Sequence, residues 1–121
     1  MSWTDSKSKC EEEKGTLASV EDEETNSFLQ KMITKNAFIG GHKQEEWKWS
    51  DDKEFDFENF HPEADDSESY VEMVYSQGSG ESWWNKVSET PEHDHGFICK
   101  LNPSATRKKT FLLSLSFHNE S

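Results

Sequence analysis

The feature that most constrains this chain is a tandem of aromatic and glycine-rich stretches. Ala37-Phe38-Ile39-Gly40-Gly41 is followed, after a short polar link, by Trp47-Lys48-Trp49-Ser50-Asp51. Trp47 and Trp49 alternate around charged Lys48, which is strand periodicity. Paired glycines in a strand let another backbone approach closely or turn. A second aromatic pair, Trp83-Trp84-Asn85, precedes Gly96-Phe97-Ile98-Cys99-Lys100. These rings bury much area per residue. They are needed, because only 31% of the 121 residues are apolar, and a core of that size usually needs a staple.

The net charge of -12 argues against a nucleic-acid partner, since phosphate binding needs clustered Lys and Arg. It argues equally against an anionic membrane surface. No apolar run is long enough to span a bilayer. The first residues are polar and charged, so no signal peptide is expected in them. The two cysteines are Cys10 and Cys99. Bridged, they would close a loop of about 90 residues and add roughly 4–5 kcal/mol by chain entropy. Unbridged, they are two buried thiols, and the residues alone leave both readings open.

A first helix is expected from a Ser2 cap to about Lys14, with Gly15 as its left-handed stop. Trp3 and Cys10, seven apart, share its inward face. Thr16-Leu17-Ala18 reads as a connector. Ser19 is expected to cap a second helix, with Glu21, Asp22, Glu23 and Glu24 in its first turn. Phe28, Leu29, Met32 and Ile33 form the apolar stripe of that helix. Strands are expected at Phe38-Ile39, Trp47–Trp49, Tyr70–Tyr75, from Trp83-Trp84, and at Phe97–Cys99. Between Ser50 and Ser69 lies a long acidic loop anchored by Phe55, Phe57 and Phe60, and Ser76 to Gly80 is a turn. After Lys100 the character changes. Phe111, Leu113, Leu115 and Phe117 alternate with other residues at a period of two, so the tail 102–121 is either one added strand or a disordered extension.

Taken in order, these motifs resemble the C-type lectin-like domain over about residues 1–101. Ser2-Trp3, Cys10 and Gly15-Thr16-Leu17-Ala18-Ser19 look like its first helix and the turn into its second. Phe38-Ile39-Gly40-Gly41 matches its Trp-Ile-Gly-Leu motif with Phe for Trp. Trp47-Lys48-Trp49-Ser50-Asp51 matches its Trp-x-Trp-Ser-Asp strand, and Phe55 to Pro62 the start of its long loop. The resemblance implies an α+β fold, with two helices on a small antiparallel sheet beneath a long irregular loop. It implies a Cys10–Cys99 disulfide, an extracellular location, and recognition of a glycan or protein ligand rather than catalysis. The family's second disulfide has no counterpart, since Tyr70 and Glu89 stand at its positions. Nor does the strand that precedes the family's first helix, whose edge the 111–117 segment is expected to fill.

Lectins of this family hold calcium with oxygen ligands from the long loop and the following strand. Carried over, these are Glu63 and Asp65 around Ala64, Glu68, and Asn85 after Trp84. They are the expected calcium and carbohydrate-binding residues. Calcium takes six to eight hard oxygens, so each lost carboxylate counts. Two departures weaken the set. Ala64 replaces a cis proline, and Lys86 stands where the family has a final Asp. A second register places His61-Pro62-Glu63 on the triplet and offers imidazole instead of oxygen. If calcium does not bind, the expectation is a calcium-independent protein-binding module in which Lys86 pairs with the carboxylates, or a truncated product without a working site. A zinc site at His93 and His95 is a further alternative, although that segment reads better as a solvated loop. Asn119-Glu120-Ser121 matches a glycosylation acceptor.

Overall fold

The computed structural model describes residues 1–76, 83–101 and 115–118. The first helix, α1, runs Trp3–Glu12, with the Ser2 hydroxyl oxygen accepting from the Asp5 backbone N–H at 3.0 Å. It ends earlier than its sequence suggests, because Lys14, not Gly15, takes the left-handed conformation (φ 67°). A side chain there costs about 1 kcal/mol relative to glycine. Gly15 has a different task. A Cβ on it would lie 2.3 Å from the Lys100 carbonyl oxygen, so its bare backbone lets two strands close up. Trp3 and Cys10 are both buried, as their spacing requires, and the Trp3 indole donates to the Ile39 carbonyl at 3.0 Å.

The second helix, α2, spans Glu23–Met32 and is capped by Asp22, not Ser19. The Asp22 carboxylate accepts from the Thr25 N–H at 2.8 Å. Ser19 instead donates to Asp51 at 3.1 Å. Leu29 and Ile33 enter the core, whereas Phe28 is 39% exposed. One residue is 100° of helix rotation, which carries Phe28 off the buried stripe.

The described residues form seven strands: β1 Gly15–Leu17, β2 Ala37–Lys43, β3 Trp47–Trp49, β4 Tyr70–Met73, β5 Trp84–Val87, β6 Gly96–Leu101 and β7 Leu115–His118. β1 replaces the expected connector. β4 stops two residues before the expected Tyr75. The sheet order is β1-β6-β2-β4-β5, with β3 paired to β2 and β7 to β6. The pairings are antiparallel except that β2 and β6 run parallel, which makes the sheet mixed. β7 pairs Phe97 with His118 through Lys100 with Leu115. Phe111, Leu113, most of the Ser76–Gly80 turn and Asn119–Ser121 lie outside the described residues.

Cys10 and Cys99 form the disulfide, Cα to Cα 5.3 Å, joining α1 to β6. β2 and β6 are buried on both faces. Ala37, Ile39 and Ile98 pack in one cluster with Leu29, Trp49 and Trp84. Phe38, Phe97 and Cys99 pack in the other with Trp3. Burial on both faces explains why these central strands show no alternating pattern in the sequence.

Candidate functional site

The long loop is folded onto one indole. Trp84 is fully buried, and its ring N–H donates to the Asn26 side-chain oxygen at 2.8 Å. Its backbone N–H donates to Asn59 and its carbonyl accepts from His61, both at 2.9 Å, so the loop pairs locally with β5. Phe57 and Phe60 meet the indole edge-on at 5.8 and 5.7 Å. Phe55 stacks on Trp49 at 4.4 Å. The three Phe residues are the loop's anchors, as their spacing indicates.

Tyr70 and Glu89, at the positions of the missing second bridge, serve α1 instead. The Tyr70 ring lies 5.0 Å from that of Trp3. The Glu89 carbonyl accepts from the Trp3 N–H at 2.9 Å, and its carboxylate accepts from the Thr4 hydroxyl.

The expected ligand residues are distributed along this loop and β5. Glu63 is exposed, and its N–H donates to the His61 ring at 3.0 Å. Asp65 turns one oxygen back on Ser67, accepting from its hydroxyl at 2.7 Å and its N–H at 2.9 Å. The Ser67 hydroxyl, followed by its N–H, holds the Asp65 carboxyl below its ordinary value. Glu68 is half-buried and its N–H closes a turn onto the Asp65 carbonyl. The Asn85 side-chain oxygen accepts from the N–H of Lys86 at 3.0 Å.

Lys86 dominates the centre of this surface. Its ammonium donates to Asp66 and lies 4.8 Å from the Phe60 ring centroid and 5.9 Å from that of Trp47. A cation over aromatic faces is attracted by their quadrupoles. The hydrogen bond from Lys86 holds the Asp66 carboxyl below its ordinary value. The carboxylate partner of Lys86 is thus Asp66, which is not among the four expected ligand residues. Sequence reasoning missed Asp66, one of several neighbouring acids with nothing to single it out. It placed Trp47 and Phe60 in packing roles without seeing that both flank Lys86.

His93 and His95 do not converge on a metal. The His93 Nε2 bonds both oxygens of buried Glu72, at 2.7 and 2.9 Å. The buried His95 ring bonds the carbonyls of His93 and Met1. Among the described residues, three metal-ligating groups lie within reach of one point only at Glu13, Cys99 and His118. Cys99 there is committed to the disulfide.

Residues 1–101 match the family model of the lectin C-type domain. The chain belongs to the C-type lectin domain family. The human secretory phospholipase A2 receptor is 31% identical over 109 residues, 83% of this chain. The chain spans only 7% of that relative's length. Among solved structures, the cow C-type carbohydrate-recognition domain of CD23, determined in the presence of a GlcNAc2Man3 oligosaccharide, superposes with TM-score 0.70. It is 30% identical, and the match covers 84% of this chain and 81% of that one. A calcium-independent type II antifreeze protein superposes equally well, with TM-score 0.70 at 21% identity over 82% of this chain and 77% of that one. At that identity it shows the fold alone. The lectin-like α+β fold implied by the motifs is therefore the fold of this C-type lectin domain. No helix among the described residues is long and apolar enough to cross a membrane.

Proposed function

We propose that this C-type lectin domain is an extracellular recognition module that engages a glycan or protein ligand without calcium. The long loop and β5 form its ligand face, with Glu63, Asp65, Glu68 and Asn85 as contact residues. The observation that carries this reading is the position of Lys86, bonded to Asp66 over the Phe60 ring. Its fixed positive charge does for the loop what a bound cation would do, and it leaves the neighbouring carboxylates partly balanced. The bridge between Cys10 and Cys99 supports an oxidising, extracellular setting. The CD23 domain, determined in the presence of an oligosaccharide, supports the glycan as ligand class.

Titration calorimetry with calcium chloride tests the reading. The wild-type chain is expected to give no saturable heat. Lys86→Asp is expected to create such a heat, because it exchanges an ammonium for an oxygen ligand beside Asn85. Saturable calcium binding by the wild type, lost in Glu63→Gln or Glu68→Gln, would establish the calcium-dependent lectin instead.

A further inference from the structure

Three lysines from separate parts of the chain line one cleft beside β1. Lys14 follows α1, Lys53 follows β3, and Lys100 lies within β6. The cleft holds about 530 Å³. In a chain of net charge -12, such a convergence of ammonium groups stands out from the surface around it. Thr16 and Ser50 also line it, but their hydroxyls donate in sequence to the Leu17 carbonyl. The donors that face the cleft are therefore the lysines.

The acidic neighbours already have partners. Glu11 accepts from Lys7 at 2.6 Å. Asp51 accepts from the Ser19 hydroxyl at 3.1 Å and the Lys53 N–H at 3.2 Å. Glu21 is shared, 2.7 Å from the Lys53 ammonium and 3.7 Å from that of Lys100. Glu21 thus serves two ammonium groups, Asp51 also acts on both, and the Lys100 ammonium donates to the Ser19 hydroxyl at 3.4 Å. The Lys100 side chain is only 11% exposed. Burial, and then the adjacent Lys53 charge, push its pKa down. Burial makes a further anion beside this ammonium favourable. Lys14 brings the third charge from the left-handed turn that ends α1.

We propose that the cleft between Lys14, Lys53 and Lys100 binds an oxyanion, the carboxylate, sulfate or phosphate group of a ligand. The incoming group separates the two ammoniums that now share Glu21, and it accepts N–H bonds from all three lysines. The site shares no lining residue with the Lys86 surface and does not depend on the function assigned to that surface.

Amide-shift titration of the full chain tests this, with sodium sulfate, inorganic phosphate and acetate as probes at constant ionic strength and chloride as reference. Saturable shifts are expected at Gly15, Thr16, Lys53 and Lys100, not reproduced by chloride. The strongest of the three probes identifies the ligand group. Lys100→Gln is expected to weaken binding about tenfold, as loss of a charge-assisted hydrogen bond does. Lys14→Gly removes a charge while relieving the strained backbone, so it folds at least as well as the wild type. It is expected to weaken binding and raise Tm together. Shifts scattered over the surface without saturation, or affinity unchanged in both variants, would overturn the proposal.

Discussion

The Lys86 ammonium lies 4.8 Å from the centroid of the Phe60 ring while donating a hydrogen bond to Asp66. One side chain therefore joins β5 to two points of the long loop. A lysine in this position stabilises the loop from within, through both charge and ring contact.

Removing that charge should loosen the loop. Lys86→Gln loses a cation–π contact of about 0.5–1 kcal/mol together with the bond to Asp66. Hydrogen exchange at residues 59–68 is expected to quicken, while the β2 and β6 amides keep their protection. Unchanged exchange in the loop would show that the lysine is a bystander.

The same pair sets an acid sensitivity. Asp66 has its carboxyl lowered from 3.8, so it binds protons less readily folded than unfolded. Its contribution is fully present above pH 4 and is lost as the pH falls through the lowered value. Acidification from pH 5 to pH 3 is therefore expected to open the loop in the wild type. In Lys86→Gln the same acid step should produce a smaller change, measured by loop amide exchange at each pH.

The Cys10–Cys99 bridge spans 89 residues of sequence. Cys10→Ser with Cys99→Ser removes about 4–5 kcal/mol of chain-entropy stabilisation. Thermal unfolding followed by circular dichroism should show a Tm lower by more than about 10 °C.

Gly96 admits β7 to the sheet. A Cβ there would lie 2.3 Å from the His118 carbonyl oxygen and 2.7 Å from the Phe117 ring. Gly96→Ala is expected to remove amide protection at residues 115–118 and leave α1 and α2 intact. Persistent protection of that segment would mean that β7 shifts to accommodate the methyl group.

Asn26 holds the indole on which the loop folds. Asn26→Ala leaves the buried Trp84 N–H without its partner, a loss of about 1–3 kcal/mol. Denaturant unfolding should show this as a lower midpoint with an unchanged slope.

Much of this molecule is legible in its residues. The aromatic–glycine motifs identify the family, and the spacing of Trp3 and Cys10 orients α1 correctly. The apolar stripe of α2 is right at Leu29 and Ile33 and fails at Phe28, where one step of helix rotation decides exposure. The capping of α2 is misread because Ser19 and Asp22 are both competent caps. Proximity of Asp51 to Ser19 settles the choice. β1 is invisible as a strand because three residues carry too little periodicity. Its strand character comes from β6 alongside it.

Motif identity, the existence of the two helices and the availability of a single cysteine pair follow from the sequence alone, because they depend on residue type and local spacing. Tertiary structure alone decided that Lys86 meets Asp66 rather than Asp65 or Glu68, that Lys14 carries the left-handed turn, and that three lysines share one cleft. Electrostatic pairing falls off with distance, and in a chain this acidic only the folded backbone determines which charges lie close enough to pair.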